Sequence, residues 1–583
     1  MVLKIIRVIL LLFSMYGYTQ YLVSKRKLKI ELALPVLLSA IGAAVFLAGL
    51  LNVMKEVSAL IFLFGAVLGV VSLKRRYALR ELFTVGTIVC AVMAAVLLFL
   101  TYGVKFTQYD NLSHWSVAVR LLVTENRFPN FEDTVVFFQS YPVGSASLMY
   151  YFAKITGIRS EWFYIWTQQI ATVCFAGSLF AFCQKKKPVE YGATTLAVFC
   201  LLFCVPGFSI LSEILVDELL ACLGVAGAAV CLFYREDLQK LLFALVPINI
   251  FLVAIKNSGA FFASVLSVYF LYLVVKSGKI KVHISFKSIL AVISPFIVMY
   301  LWKQHVAFSF VSGMETKHSM SLDNFKHIFA KKSPELISQV TESFLKRMFA
   351  FDNPFLIILI ALLAALLIIK ICKLQIPQYK ETVALIIGTY LIYMIGNYGM
   401  YIFSMPNYEA SILACYDRYH MTGVAFVAGI LFILLLEIYH AFGKGSSPVK
   451  AKTVLWRAAY IAAAAVTVWF AITPVANSFK RASYEGSKRQ QLDSVVEKYR
   501  LDVSGNRSFA VIWDFNDSDY TFFLTRYVLY TGNIKEIDPN TPGDLQAKIR
   551  GYDYLVVPEH NAAIDAFLTQ HFGNCSEDAY SLT

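Results

Sequence analysis

Apolar runs close to the length that crosses a lipid bilayer recur from one end of this chain to the other. A transmembrane helix needs about 20 such residues. Only 15% of the chain is charged, whereas ordinary soluble domains carry roughly 25%. We therefore predict an all-α polytopic membrane protein with about fourteen spans. Their expected positions are 4–24, 31–52, 57–73, 83–103, 162–184, 190–212, 219–234, 240–256, 259–276, 287–302, 354–372, 382–404, 420–442 and 458–475.

Short basic clusters separate many of these spans, as in 25–27 and 185–187. Cytoplasmic loops are rich in Lys and Arg, so we expect these clusters on the inner side of a cell membrane. The net charge of +14 is then a topology signal and a contact with the anionic lipid bilayer, and it does not indicate nucleic acid as a partner. The loops expected on the outer face, together with both termini, are 104–161, 213–218, 303–353 and 405–419.

Residues 141–157 are apolar but short, and Pro142 and Gly144 stand near their start. A span here would move the basic cluster 185–187 to the outer side, against the positive-inside rule. We therefore predict an amphipathic helix that lies on the outer surface.

The composition becomes that of a soluble protein beyond about residue 476. The segments 507–515 and 552–557 have the composition of strands, and 519–530 and 561–572 that of helices. We predict two parts: a transmembrane domain, 1–475, with the outer loop 104–161, and a small extracytoplasmic α/β domain, 476–583. The tail has no Gly-rich phosphate-binding fingerprint, so a nucleotide role has no support.

Polar and ionisable residues collect at the predicted outer ends of the spans. Such residues are costly at membrane depth, so their common side indicates one functional cavity. Each also has an ordinary explanation: a loop carboxylate, a lysine that extends to the interface, or a structural ion pair. The candidates are Asp110, His114, Tyr141, Asp217, Glu218, Lys256, Tyr416, Arg418 and Tyr419.

The order of these motifs resembles the GT-C integral-membrane glycosyltransferases, and within them the protein mannosyltransferase and aminoarabinose transferase group. The resemblance covers roughly residues 80–440, and the chain departs from the family pattern at Asn111, Val143 and Glu218. The similar segments are 109–115, 140–162, 217–221, 255–259 and 418–419.

The resemblance implies an inverting transfer of a sugar from a polyprenyl-phosphate donor to a cell-envelope glycan or related acceptor. Asp110 would be the catalytic base, and Arg418 and Lys256 would meet the charge on the departing phosphate. No cofactor is certain, and a divalent metal, Mg²⁺ or Mn²⁺, stays an open possibility. The alternatives are a transporter or flippase of lipid-linked glycans, or a polymerase of them. A transporter would favour inverted repeats and broken helices near the midplane.

Overall fold

The structure is a computed structural model that describes residues 2–75, 79–203, 205, 209–278, 286–310, 322–443 and 484–582. The predicted span 458–475 lies outside the described residues. Each of the other thirteen predicted spans overlaps a helix of the structure, and of the predicted span 190–212 the helix α8 covers only the part up to Leu201. These helices are α1 Val2–Gln20, α2 Ile30–Leu50, α3 Met54–Lys74, α4 Val85–Thr101, α7 Glu161–Ala176, α8 Pro188–Leu201, α9 Asp217–Phe233, α10 Leu238–Ile255, α11 Gly259–Lys276, α12 Phe286–Ser309, α15 Pro354–Ile371, α16 Tyr379–Phe403 and α18 Tyr416–Gly443.

In the part of the chain that the structure describes, ten helices are long and apolar enough to cross a membrane. The helices α4, α8 and α9 have 17, 14 and 17 residues, so they fall short of a full span by themselves. A π-helical turn, Tyr21–Lys25, extends α1, and a 3₁₀ turn, Gly177–Phe182, extends α7. The structure therefore supports a helical multi-pass membrane protein, and the number of spans stays a prediction.

The helices divide into a buried centre and an apolar periphery. Most residues of α2, α9, α10 and α18 are buried, whereas α3, α12 and α15 leave most of their apolar side chains at least partly exposed. A soluble protein rarely exposes such continuous apolar surface, but a lipid bilayer covers it at no cost. The environment that this surface fits is therefore a bilayer.

Small residues bring α1 and α3 into backbone contact. A Cβ atom added at Gly65 would lie 2.1 Å from Ser14 Oγ, and one added at Gly17 would lie 2.1 Å from the carbonyl oxygen of Gly65. Gly65 and Gly69 form a G-x-x-x-G motif, which is typical of close helix pairs in membranes. The Ser14 hydroxyl also donates to the Phe62 carbonyl at 2.9 Å.

Two ion pairs join α9 and α18, one at each end. Arg418 Nε lies 3.5 Å from Asp217 at one end, and Arg235 lies 3.2 Å from Glu437 at the other. Arg235 lies in the turn after α9, whereas Arg418 and Glu437 both lie on α18, 19 positions and therefore about 28 Å apart at ~1.5 Å per residue. This length is close to the ~30 Å thickness of a bilayer's hydrocarbon core. The two ion pairs therefore lie at the levels expected for the two membrane interfaces.

The loop 104–161 contains a π-helical turn, Asn111–Trp115, and two helices, α5 Ser116–Glu125 and α6 Gly144–Thr156. With 13 residues, α6 is too short to span a bilayer, as predicted. Most residues of α6 are buried among α1, α2, α5 and α7, so this helix lacks the polar exposed face of the amphipathic surface helix that was predicted. Lys154 on this helix donates a hydrogen bond from its ammonium group to Asn126 Oδ1 at 2.5 Å.

Further helices lie in the loops 303–353 and 405–419: α13 Leu322–Ala330, α14 Pro334–Met348 and α17 Asn407–Ser411. Ser333 caps α14 by accepting a hydrogen bond from the Leu336 amide at 3.2 Å, and Pro334 follows at the first helical position. This start agrees with the helix predicted from Ser333 and Pro334.

The C-terminal region contains four strands, β1 Phe509–Ile512, β2 Ile534–Ile537, β3 Tyr554–Val556 and β4 Ala579–Ser581, which form one sheet in the order β2–β1–β3–β4. The central strand β1 pairs in parallel with β2 and β3, and β4 pairs antiparallel with β3. The helices of this region are α19 Lys488–Tyr499, α20 Tyr520–Leu529, α21 Leu545–Ile549 and α22 Ala562–Phe572. The two predicted strands and two predicted helices are confirmed as β1, β3, α20 and α22.

Candidate functional site

Four charged residues from four separate segments meet at one end of the helices. Asp110 directly precedes the π-helical turn 111–115, Asp217 begins α9, Lys256 follows α10, and Arg418 lies in the first turn of α18. Arg418 Nη1 is 2.6 Å from Asp110 Oδ2, and Lys256 Nζ is 2.7 Å from Asp217 Oδ1. Arg418 also pairs with Asp217, so one guanidinium joins both carboxylates. We call these four residues the charged cluster.

The charged cluster contains two carboxylates and two cations, and its four side chains differ in their exposure to solvent. The Asp217 side chain is 6% exposed, those of Lys256 and Arg418 are 12% and 19% exposed, and that of Asp110 is 37% exposed. Buried charges are stable only when they are paired, so Asp217 serves as the inner anchor of both cations. Asp110 is the carboxylate that an incoming molecule can reach.

Helix ends add to the field at the charged cluster. Asp217 at the start of α9 and Lys256 at the end of α10 each complement the dipole of their own helix. Arg418 has the opposite placement, because the start of α18 already carries partial positive charge. The positive end of α18 and the guanidinium of Arg418 together attract an anion, and the carboxylates of Asp110 and Asp217 supply that negative charge here.

Tyr419 forms one wall of the charged cluster. Its ring centroid is 5.2 Å from Lys256 Nζ and 5.3 Å from Arg418 Cζ. Both cations therefore lie within the range of cation–π attraction, which favours them in their partly buried positions.

Asn111 holds the segment that leads into Asp217. Its side-chain amide donates to the Ser212 carbonyl at 3.1 Å, and its Oδ1 accepts from the Ile214 amide at 3.1 Å. The Asn111 residue is fully buried. An amide is needed at this position, because one of the two hydrogen bonds requires a donor.

Asn111→Asp should therefore destabilise the protein by at least about 2 kcal/mol, because an aspartate cannot donate to the Ser212 carbonyl and would bury a charge. The matched control is Asn130→Asp, whose side chain only accepts a bond, from the Glu132 amide at 2.9 Å. Thermal unfolding of the purified variants in detergent measures both effects. Equal unfolding temperatures for the two variants would contradict this role for Asn111.

His114 and Tyr141 pack together next to the charged cluster, with ring centroids 4.8 Å apart. His114 also contacts Trp115 and Phe138, and a cavity of about 10 Å³, roughly the volume for one water, adjoins it. Burial and the charge of Lys256 lower the pKa of His114 to about 3. Burial also raises the pKa of Tyr141 well above its usual value. Both rings are therefore neutral near pH 7, and they are well placed to form a wall of the site.

The lowered pKa of His114 predicts a loss of stability in acid. The folded protein keeps His114 neutral down to about pH 3, whereas the unfolded chain takes up a proton below about pH 6.5. The stabilising contribution is thus present above pH 6.5 and falls by up to ~1.4 kcal/mol per pH unit below it. Unfolding free energies measured between pH 7 and pH 5 should fall less steeply for His114→Gln than for the wild type. Parallel pH profiles would contradict this prediction.

Two other candidate residues take different positions. Asp217 pairs with both Lys256 and Arg418 and therefore belongs to the charged cluster. The adjacent residue, Glu218, is buried on α9. Tyr416 packs toward α14, where Arg347 lies 5.3 Å from its ring centroid. This contact could not be predicted from the sequence, because it depends on how α14 packs.

The C-terminal region contacts the chain directly before Asp110. The Tyr520 hydroxyl donates to the Thr107 carbonyl at 2.8 Å, and the rings of Phe523 and Tyr109 are 5.3 Å apart. The deeper attachment is Arg489, which binds Glu161 at 2.8 Å and the Phe106 carbonyl at 2.9 Å. Sequence reasoning missed Arg489, because nothing in its surrounding pattern marks it as buried.

The charged cluster does not have the composition of a metal site. Both carboxylates are already paired with cations, and within the described ranges no group of three or more His, Cys, Asp or Glu residues could hold a metal ion.

Comparisons with known proteins do not assign the chain to a family. No family model matches the sequence, and neither a curated protein nor a solved structure matches it. The identification of a function therefore depends on the geometry of the charged cluster.

Proposed function

We propose that this chain is an inverting glycosyltransferase that moves a sugar from a polyprenyl-phosphate donor to a cell-envelope glycan on the outer face of the membrane. The observation that carries the proposal is the charged cluster, in which an accessible carboxylate lies beside two cations at the end of the helix bundle. This is the pairing that such a transfer needs: a base for a hydroxyl and positive charge for a phosphate.

Each member of the charged cluster has a distinct role in this proposal. Asp110, the most exposed member, removes the proton from the acceptor hydroxyl. Arg418 and Lys256 bind the donor phosphate, since charge-assisted hydrogen bonds from these groups are short and strong. Asp217 holds both cations in place. The His114 and Tyr141 rings line the sugar side of the site.

The reaction balances with these groups alone. The acceptor oxygen forms a bond to the anomeric carbon as the bond from that carbon to the phosphate oxygen breaks. The proton of the acceptor hydroxyl passes to Asp110, and the bonding electrons leave with the lipid phosphate. Arg418 and Lys256 stabilise the negative charge that develops there.

The direct contact between Asp110 and Arg418 suggests an order of binding. A donor phosphate must compete with Asp110 for the guanidinium of Arg418, because the two are 2.6 Å apart. Binding of the donor would release Asp110 and leave it free to accept a proton. The donor is therefore expected to bind before the acceptor.

A gene-deletion experiment tests the proposed function. Mass spectrometry of envelope glycans should show the loss of one sugar in the deletion strain and its return with the wild-type gene. The corresponding polyprenyl-phosphate sugar should accumulate in the deletion strain. An unchanged glycan profile would contradict the proposal. Transfer by the purified protein separates an enzyme from a transporter, since a transporter would move the lipid-linked sugar without forming a product.

A further inference from the structure

A second feature lies at the opposite end of the helices, far from the charged cluster. A groove of about 900 Å³ runs between α1, α2, α3, α10 and α12. Its walls are mainly apolar, and Ala40 and Ala44 of α2 leave the space that larger side chains would fill. Helices long and apolar enough to cross a membrane form these walls, so the surrounding medium is lipid.

The groove has the depth of one lipid leaflet. It begins beside Arg26 and Leu238 and reaches Pro247 on α10. The segment from Leu238 to Pro247 is about 14 Å long at ~1.5 Å per residue. This is about half of the ~30 Å hydrocarbon core, so the groove ends near the bilayer midplane. A lipid chain that enters from this surface would therefore fill it.

Positive charge lies at the mouth of the groove. Arg26 is exposed there between exposed Lys25 and Lys27. Its Nε donates to the Tyr21 hydroxyl at 3.1 Å, and its guanidinium lies 4.8 Å from the ring centroid of Phe243, which lines the groove. These contacts hold the cation at the level where a lipid phosphate would lie.

We infer that this groove binds an anionic phospholipid, with one acyl chain between α2 and α10 and the phosphate at Arg26. The charge complementarity selects an anionic head group, and the depth selects a chain that stays in one leaflet. Such a lipid would fill the gap between the helices and stabilise their packing. This site is independent of the proposed transfer reaction at the other end of the molecule.

Native mass spectrometry of the full-length protein tests the inference, with phosphatidylglycerol and phosphatidylcholine of matched chains as probes. The wild type should retain one phosphatidylglycerol in preference to phosphatidylcholine. Arg26→Gln should weaken that retention about 10-fold, because it removes a charged hydrogen bond. Lys186→Gln is the matched control, since it removes one charge from a different basic cluster, and it should bind as the wild type does.

Ala40→Leu provides a second variant, because it fills the groove without changing any charge. It should abolish retention of phosphatidylglycerol while the protein stays folded. Equal retention of the two lipids by the wild type would overturn the anionic selectivity. Wild-type retention by Ala40→Leu would show that the lipid binds elsewhere and would overturn the site.

Discussion

Asp110→Asn should lower the rate of sugar transfer about 10²–10⁴-fold, which is the usual contribution of a general base. Asparagine keeps the shape of the side chain but cannot take the proton. Donor affinity should not fall, because Asp110 competes with the donor phosphate for Arg418. Arg418→Ala should differ, since it removes a phosphate contact and should weaken both donor binding and turnover. Transfer assays with a purified polyprenyl-phosphate sugar, together with separate donor-binding measurements, distinguish the two variants.

The matched control for this experiment lies in the same loop. Asp133 forms a comparable pair with Arg127, at 2.7 Å and 3.0 Å, outside the charged cluster. Asp133→Asn should leave the transfer rate of the folded protein near that of the wild type. Near-normal turnover by Asp110→Asn would remove Asp110 from catalysis and favour the transporter alternative.

Arg489→Ala should produce the largest loss of stability, about 3–5 kcal/mol, which is typical when one partner of a buried ion pair is removed. The Arg489 side chain is 5% exposed, and its loss leaves the largely buried Glu161 carboxylate, which is 14% exposed, without this cation. We expect the C-terminal region to separate from the loop that carries Asp110. Hydrogen exchange of amides 106–109, together with thermal unfolding, measures this change.

Lys498→Ala is the control for Arg489→Ala. Lys498 forms an exposed ion pair with Asp578 in the same region, at 3.1 Å, and such pairs contribute little to stability. The double variant Arg489→Met with Glu161→Gln should recover part of the lost stability, because it removes the Glu161 charge together with its cation. Asp493, the second carboxylate that Arg489 binds, keeps a hydrogen bond from the Tyr484 hydroxyl at 2.8 Å. Unchanged amide exchange in Arg489→Ala would show that other contacts hold the C-terminal region in place.

The sequence predicted the convergence of Asp110, Asp217, Lys256 and Arg418, because charged residues at membrane depth are rare and topology placed them on one side. The sequence alone does not determine which carboxylate pairs with which cation. The choice of Asp217 over Glu218 depends on the rotation of α9, since adjacent helical positions point about 100° apart.

Other differences have equally local causes. The helix α6 carries Tyr150 and Tyr151 on different faces, and its composition does not reveal that neighbouring helices cover both. The strand β2 was missed because its two central residues, Lys535 and Glu536, are charged and exposed. An edge strand needs no buried pattern on both faces, and charge there discourages pairing with another chain.

The paired ion contacts at the two ends of α9 and α18 have a consequence for the host membrane. A single helix can tilt to suit a thicker or thinner bilayer, but two helices joined at both ends cannot slide past each other without separating buried charges. The hydrophobic thickness of the protein is thus expected to be nearly constant. Where its height and the bilayer differ, the lipid must stretch or compress around it, and the protein should partition toward membranes of matching thickness.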